Sequence, residues 1–232
     1  MDARTVDWSA WRGLEPGAEE AGGLRERKKR QMRQQLSDTA TEMFMERGFD
    51  AVRVSEIAAA CGVSEKTVFN YFPTKESLLL DRWDATMSAL RDGLGDPAYR
   101  PVEAALRILD DELGALTSWL GRQDDTAAAT AAIQRFGVLA RSTPSLRAHQ
   151  RDMTDRLAAA AADVLAARAD LSPDAPEPQI AAAALLGLWD VQFRALRRHL
   201  DGHRSPAQVH DAVTAEVRRA ARLLSDGLDS FG

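Results

Sequence analysis

A short polar stretch beginning at residue 65 carries the side chains best suited to recognising another molecule. Acidic, basic, hydroxyl and amide groups occur there with two aromatic rings, and they have no obvious core partner: Glu65, Lys66, Thr67, Phe69, Asn70 and Tyr71. Such groups read base edges in the DNA major groove, where a ring can also touch a thymine methyl. The stretch therefore predicts a helix lying in that groove. The plainer alternative is a helical hairpin with a polar outer face.

Two short helices joined by a tight turn would position these side chains. Apolar residues at helical spacing define the first helix, namely Val54, Ile57, Ala58 and Cys61. Gly62 follows, where a left-handed residue without a Cβ commonly ends a helix. Ser64 offers a hydroxyl that can cap the second helix. Val68 and Phe72 lie four residues apart and can pack that second helix against the first.

Three sequence blocks follow one another within residues 30–79: TATEMFMERGF at 39–49, VSEIAAACGVS at 54–64 and FNYFPTKESL at 69–78. In this order they resemble the DNA-binding segment of the tetracycline-repressor (TetR) family of bacterial regulators. The resemblance covers about a fifth of the chain. It implies an all-α fold, with a three-helix helix-turn-helix DNA-binding domain followed by a helical ligand-binding and dimerisation domain.

The resemblance also implies which side chains contact DNA. In the family, the aromatic residue matching Tyr71, a hydroxyl near Thr67 and the lysine matching Lys75 hold the DNA backbone. Arg53 replaces the family's usual Ser or Thr, which removes a capping hydroxyl and places a cation near the backbone. Lys66 replaces a common Gly, so a typical relative's base preference does not transfer. The predicted DNA-binding set is Arg30, Arg53, Ser64, Lys66, Thr67, Phe69, Asn70, Tyr71 and Lys75.

A basic run precedes this motif. Residues 24–33 contain one glutamate and six cations, which are Arg25, Arg27, Lys28, Lys29, Arg30 and Arg33. The net charge is -3 over residues 1–24, +2 over 25–82 and -4 over 83–232. The positive segment is the one that holds the motif, and cations beside a DNA-binding helix can neutralise phosphates. The run therefore predicts phosphate or minor-groove contact, the alternative being a solvated helix end.

Composition limits the remaining possibilities. The chain has 232 residues, a net charge of -5 and one cysteine, which excludes an intramolecular disulfide and fits a reducing cytosol. No apolar run is long enough to cross a bilayer, and residues 1–23 lack the apolar centre of a secretory signal. A cytoplasmic location is therefore expected. Residues 1–23 read as a disordered tail, in which Trp8 and Trp11 are either mobile or packed on the protein.

The rest of the chain divides into a DNA-binding domain at 24–73 and a ligand-binding and dimerisation domain at 74–232. Apolar residues at helical spacing predict one continuous connecting helix over 74–94. Helices are also predicted over 101–120, 126–140 and 144–169, with a proline-rich loop at 171–178. Two long helices, at about 179–200 and 206–224, complete the chain.

Family members dimerise by pairing their last two long helices, which implies a homodimer on double-stranded operator DNA. The first helix would present Ala183, Leu186, Gly187, Asp190, Arg194 and Arg197. The second would present Val209, Val213, Val217 and Leu224. The alternative is that both helices close the subunit's own core.

The family also implies a small-molecule effector, bound among the helices that follow the DNA-binding domain, which shifts the connecting helix. The candidate lining residues are apolar or aromatic: Met87, Leu113, Leu116, Trp119, Phe136, Met153, Leu157, Trp189 and Phe193. They predict a mostly apolar effector, with Asp190, Gln192 and Arg135 as orienting polar groups. Each candidate could instead be ordinary core.

Other classes of protein fit less well. The sequence has no nucleophile elbow, zinc-protease helix or Cys/His cluster, so neither an enzyme nor a cofactor or metal site is expected. Gly202 breaks the chain between His199 and His203, which disfavours metal binding with His210. Asp110, Asp111 and Glu112 read as a solvated helix edge. A helical adaptor without ligand control is the alternative function. The sequence leaves open the operator, the regulated genes, the effector and whether the protein represses or activates.

Overall fold

The computed structural model describes residues 23–80 and 83–226, and the predicted all-α fold is confirmed. The tail containing Trp8 and Trp11 lies outside these residues. The helices are α1 (Leu24–Arg47), α2 (Val54–Ala60), α3 (Glu65–Tyr71), α4 (Trp83–Gly95), α5 (Pro101–Gly121), α6 (Thr126–Ser142), α7 (Pro144–Ala169), α8 (Pro176–His199) and α9 (Pro206–Asp226), with a 3-10 turn at Glu76–Leu78.

The described residues form two compact units. The first contains residues 23–80, which form the head of the protein, together with residues 131–150. The second contains residues 83–130 and 151–226. Residues 74–80 belong to the same unit as residues 23–73, and the predicted end of the DNA-binding domain at residue 73 stays a prediction.

The core of the head is built on α1, which packs on α2 and on the 3-10 turn. Leu36, Ala40 and Phe44 lie one helical turn apart on α1 and are fully buried. The Phe44 ring lies 4.8 Å from the Phe49 ring, just past the end of the helix. A glycine, Gly48, ends α1 with a positive φ of 86°, a conformation that side chains with a Cβ rarely adopt.

The prediction of one continuous helix over 74–94 is wrong. A short 3-10 turn follows Thr74, whose hydroxyl accepts the Ser77 N–H at 3.1 Å. The next three leucines are all buried: Leu78, Leu79 and Leu80. An α-helix on a surface cannot bury three consecutive side chains on one side, because successive residues point about 100° apart. The chain leaves the helical path to bury them, and α4 starts at Trp83.

In the second unit, α5 packs on α4, α8 and α9, and α8 packs on α9. Val209, Val213 and Val217 of α9 are buried in this subunit. The prediction that they face a partner subunit is therefore wrong, because they pack in the unit's own core. Leu224 is partly exposed.

Polar links hold these helices together. Glu112 on α5 accepts the Thr86 hydroxyl of α4 at 2.7 Å and the Trp189 indole N–H of α8 at 3.0 Å. Glu112 is half-buried, so it is not part of a solvated edge as predicted. Arg168 on α7 donates to three carbonyl groups at and beyond the end of α4, those of Leu94, Asp96 and Tyr99, at 2.6–3.2 Å.

Helix α8 begins earlier than predicted. The sequence suggested a loop over 171–178, but Pro176 is the first residue of α8 and Pro178 lies in its first turn. Proline is compatible with these positions because the first-turn N–H groups have no intrahelical acceptor. Among the described residues, none of the helices has the length and apolarity needed to span a membrane.

Candidate nucleic-acid interface

The turn between α2 and α3 has the predicted geometry. Gly62 has φ +69°, in the left-handed region where a residue with a Cβ would be strained. The Ser64 Oγ accepts the Thr67 N–H at 3.1 Å and so caps the first turn of α3. The Ser64 and Thr67 hydroxyls also lie 2.9 Å apart. The turn therefore fixes the direction in which α3 leaves α2.

One face of α3 is buried and the opposite face is open. Val68 is fully buried, as is Phe72 after the helix end. Lys66 and Asn70 are exposed, and Phe69 is 46% exposed, which is unusual for a phenylalanine. Together these three side chains present an ammonium, an amide and an aromatic ring. Such a surface can donate to and accept from base edges in the major groove and can make apolar contact with a thymine methyl.

Two other predicted contacts of α3 are more enclosed. Thr67 and Tyr71 are half-buried, and Thr67 already shares its hydroxyl with Ser64. The Tyr71 carbonyl accepts Arg33 Nη1 at 3.0 Å, and the Arg33 guanidinium lies 4.8 Å from the centre of the Phe72 ring. Sequence reasoning placed Arg33 in the basic run. The structure shows that Arg33 instead ties α1 to the end of α3.

The remaining cations of the run are on the surface of α1. Arg25, Arg27, Lys28, Lys29 and Arg30 are all exposed. Arg25 and Arg27 lie in the first turn of α1, where the partial positive charge of the helix N-terminus makes cations unfavourable. These two cations therefore do not stabilise the start of α1, and the exposed run can contact an anionic partner.

At the start of α2, the Glu56 carboxylate takes the place of the missing capping hydroxyl. The Glu56 carboxylate accepts the Arg53 backbone N–H at 2.8 Å and pairs with Arg47 at 2.7 Å. The pKa of Glu56 is lowered, first by the Arg53 N–H and then by Arg47. The Arg53 side chain itself is exposed, as expected for a cation beside DNA.

Lys75 has contacts inside the head that its sequence position did not predict. Its Nζ donates to the Phe49 carbonyl at 2.5 Å and lies 4.4 Å from the centre of the Phe49 ring. The Phe44 ring centre is 5.5 Å away. Burial lowers the pKa of Lys75. Lys75 thus clamps the loop after α1, and its contact with DNA phosphate stays a prediction.

The nine predicted effector-binding residues are divided between the two units, and their role in binding an effector stays a prediction. Phe136 lies in the first unit and the other eight lie in the second. Five of these eight are buried: Leu113, Leu116, Trp119, Leu157 and Trp189. Met87, Phe136 and Met153 are half-buried, and Phe193 is 51% exposed, so Phe193 faces outward instead of into a pocket. Asp190 is also exposed and pairs with Arg194 on its own helix.

The second unit does contain a cleft, of about 430 Å³, between α5, α8 and α9. None of the nine predicted residues lines it, although Gln192 does. Within 23–80 and 83–226, no three His, Cys, Asp or Glu side chains are grouped as metal ligands. His199 Nε2 lies 2.7 Å from Glu216 Oε1 and links α8 to α9.

Comparisons with known proteins agree with the geometry of the head. The family model described as bacterial regulatory proteins of the tetR family matches residues 36–81. A second model, the MftR C-terminal domain, matches residues 115–229. The second match covers most of the chain beyond the head.

Similar proteins are transcriptional regulators. The HTH-type regulator TcmR of Streptomyces glaucescens is 31% identical over 180 residues, which cover 75% of this chain and 74% of TcmR. RutR of Escherichia coli K12 is 32% identical over 83 residues, covering 33% of this chain and 39% of RutR. The solved structure of Salmonella enterica GusR matches with a TM-score of 0.46 and 17% identity, over 84% of this chain and 96% of GusR. The chain belongs to the TetR family of DNA-binding transcriptional regulators.

Proposed function

We propose that the protein is a homodimeric repressor that binds operator DNA in the cytoplasm and leaves it when a small, mostly apolar molecule binds. The observation that carries the proposal is the open face of α3, on which Lys66, Phe69 and Asn70 are exposed beside a buried face. In a helix-turn-helix protein, the second helix of the motif enters the major groove. The exposed cations of α1 would add contacts to phosphate.

The outer surface of α8 supports the dimer. Its exposed residues include Ile180, Ala183, Gly187, Asp190 and Phe193. A Cβ added at Gly187 would meet no other atom of the subunit within 4 Å. Small residues between two large apolar ones allow a second helix to approach closely, and exposed apolar groups favour such burial. A dimer would place two recognition helices on successive half-sites.

Gly187→Arg tests this interface. We expect the variant to fold normally and to shift toward the 25.4 kDa monomer. Forcing a large side chain into a packed interface costs about 1–3 kcal/mol, which is roughly 5–150-fold in the dimer dissociation constant. Light scattering over a dilution series would measure the change. Gly121→Arg, on the exposed end of α5, is the matched control and should leave the mass unchanged. An unchanged dimer in both variants would place the interface elsewhere.

Asn70→Ala tests base reading by α3. We expect weaker discrimination at one or two base pairs, because a good bidentate contact to a base contributes about 1–3 kcal/mol. Competition binding against an operator mutation series would measure it, with random DNA as the control for phosphate contacts. If the variant kept the wild-type preference at every position, Asn70 would not read a base.

The alternatives differ in what DNA binding would show. The related proteins are regulators and not enzymes, which supports a non-catalytic role. A helical adaptor would need no specific DNA site. Sequencing the genomic fragments that the protein retains, followed by gel shifts on them, tests the proposal directly. We expect a specific, salt-sensitive shift and retained fragments that lie in promoters. Retention of random fragments would favour the adaptor.

Repression and effector release need a second measurement. Transcription in vitro from a retained promoter should fall when the protein is added and recover with the effector. Genes beside the operator would indicate which compounds to test. Increased transcription on addition of the protein would make it an activator. If transcription did not recover with any compound that binds the second unit, the proposal of ligand control would be wrong.

A further inference from the structure

The cleft between α5, α8 and α9 has the size and lining of a binding site for a small molecule. Its volume of about 430 Å³ falls within the usual range for ligand sites. Leu109 and Val217 form an apolar floor and are almost completely buried. Leu106 lies beside them and is half-buried. This floor can hold a short hydrocarbon segment.

The charged groups of the cleft favour a cation. Three carboxylates line it, from Glu103, Asp110 and Asp111, against the guanidinium groups of Arg107 and Arg218. The Arg107 guanidinium lies 4.1 Å from the centre of the Tyr99 ring. An ammonium group would gain from the excess of one carboxylate over the two guanidinium groups.

Asp110 is held in place by neighbours on α9. Its Oδ1 accepts the Thr214 hydroxyl at 3.4 Å and lies 3.7 Å from His210 Nε2. Both of these contacts go to Oδ1. Asp110 therefore contacts α9 through one oxygen and can accept a further hydrogen bond.

Gln192 adds a second group that a ligand can contact. It is a cleft-lining residue on α8 that is only 6% exposed. Its side-chain amide is not among the buried atoms without a hydrogen-bond partner, since within the described part of the chain that description fits His199 Nδ1. The Gln192 amide therefore keeps its contact with solvent in the cleft. A ligand group that both donates and accepts, such as an amide, can replace that solvent.

We propose that this cleft binds a compact organic amine that carries an amide group a few methylenes from its ammonium. The ammonium would lie against Asp110 and Asp111, the methylenes on Leu109 and Val217, and the amide against Gln192. None of the nine apolar residues expected at an effector site lines this cleft, and of the expected orienting polar groups Gln192 does. The test of this binding uses no DNA, so its outcome is separate from the outcome of the tests of repression.

Titration calorimetry with three probes of similar length tests the proposal. N-Acetyl-1,4-diaminobutane carries both groups, N,N′-diacetyl-1,4-diaminobutane lacks the charge, and 4-acetamidobutanoate reverses it. We expect the amine to bind with a Kd below about 1 mM. The other two should bind at least about tenfold more weakly, because a hydrogen bond to a charged group is lost. No binding of the amine, or equal binding of all three probes, would overturn the proposal.

Substitutions locate the binding. Asp110→Asn and Gln192→Leu should each weaken amine binding about tenfold or more, and Asp163→Asn, on the exposed surface of α7, should leave it unchanged. Circular dichroism would establish that the variants are folded. Asp110 is partly exposed, so its isosteric change keeps the test valid if Gln192→Leu does not fold. Amine binding that survived both cleft substitutions would place the amine elsewhere and overturn the assignment.

Discussion

Operator affinity should fall by about 10²–10⁴-fold at about 0.15 M salt when the five exposed cations of α1 are replaced by glutamine. These residues are Arg25, Arg27, Lys28, Lys29 and Arg30. Each phosphate that a cation neutralises contributes about 0.9 to the slope of log affinity against log salt. Loss of all five contacts should therefore lower the slope by about 4–5 units. Fluorescence anisotropy with labelled operator from about 50 to about 300 mM salt would measure both quantities.

Two double variants, each of which loses two positive charges, control for the effect of net charge. Lys28 and Lys29 changed together to glutamine should lower the slope by about 2 units. Arg151 and Arg156, two exposed arginines on α7, should have little effect when changed in the same way. A slope that stayed constant in the α1 variants would mean that the run is only a solvated helix end.

Phe44→Ala should lower the free energy of unfolding by about 3–5 kcal/mol, because it leaves a cavity in the core of the head. Phe44 is fully buried, packs on the Phe49 ring at 4.8 Å and lies within reach of the Lys75 ammonium. Urea denaturation followed by circular dichroism would measure the loss. A loss below about 1 kcal/mol would show that the core around α1 tightens after truncation.

Phe69→Ala is the matched control. Phe69 is also a phenylalanine of the head, but it is 46% exposed on the open face of α3. We expect a change in unfolding free energy within about 1 kcal/mol, and a clear loss of operator binding. If Phe44→Ala lowers the unfolding free energy and Phe69→Ala lowers operator binding, Phe44 belongs to the core of the head and Phe69 to its DNA-binding face. Similar destabilisation by both would mean that Phe69 is packed against protein.

Local chemistry made the turn of the head predictable from sequence. Gly62 and Ser64 act through backbone conformation and a hydrogen bond three residues away, and both effects depend on immediate neighbours. The exposed face of α3 was also predictable, since Val68 and Phe72 left the intervening side chains on the other side. Most helix ends followed from the same kind of local signal.

Features that depend on distant partners were not predictable in this way. Leu78, Leu79 and Leu80 fit a continuing helix by pattern, and only the core of the head decides that all three are buried. The valines of α9 have the periodicity of a packed face, but periodicity does not say whether the partner is α5, α8 or a second subunit. Lys75 gave no sign that the Phe49 carbonyl would accept its ammonium.

The hydrogen bonds of the Glu112 carboxylate allow an estimate of the free energy needed to move α4 within the second unit. If α4 shifted, Glu112 could keep the Trp189 N–H of α8 and exchange the Thr86 hydroxyl for water. The cost at this link would then be one hydrogen bond to a charged group, about 1.5–3 kcal/mol, provided that the Arg168 contacts at the end of α4 are kept. Typical coupling between two binding sites amounts to about 1–3 kcal/mol. A ligand with ordinary differential affinity could therefore offset this cost, and Thr86→Val would move the resting equilibrium toward the shifted state before any ligand is added.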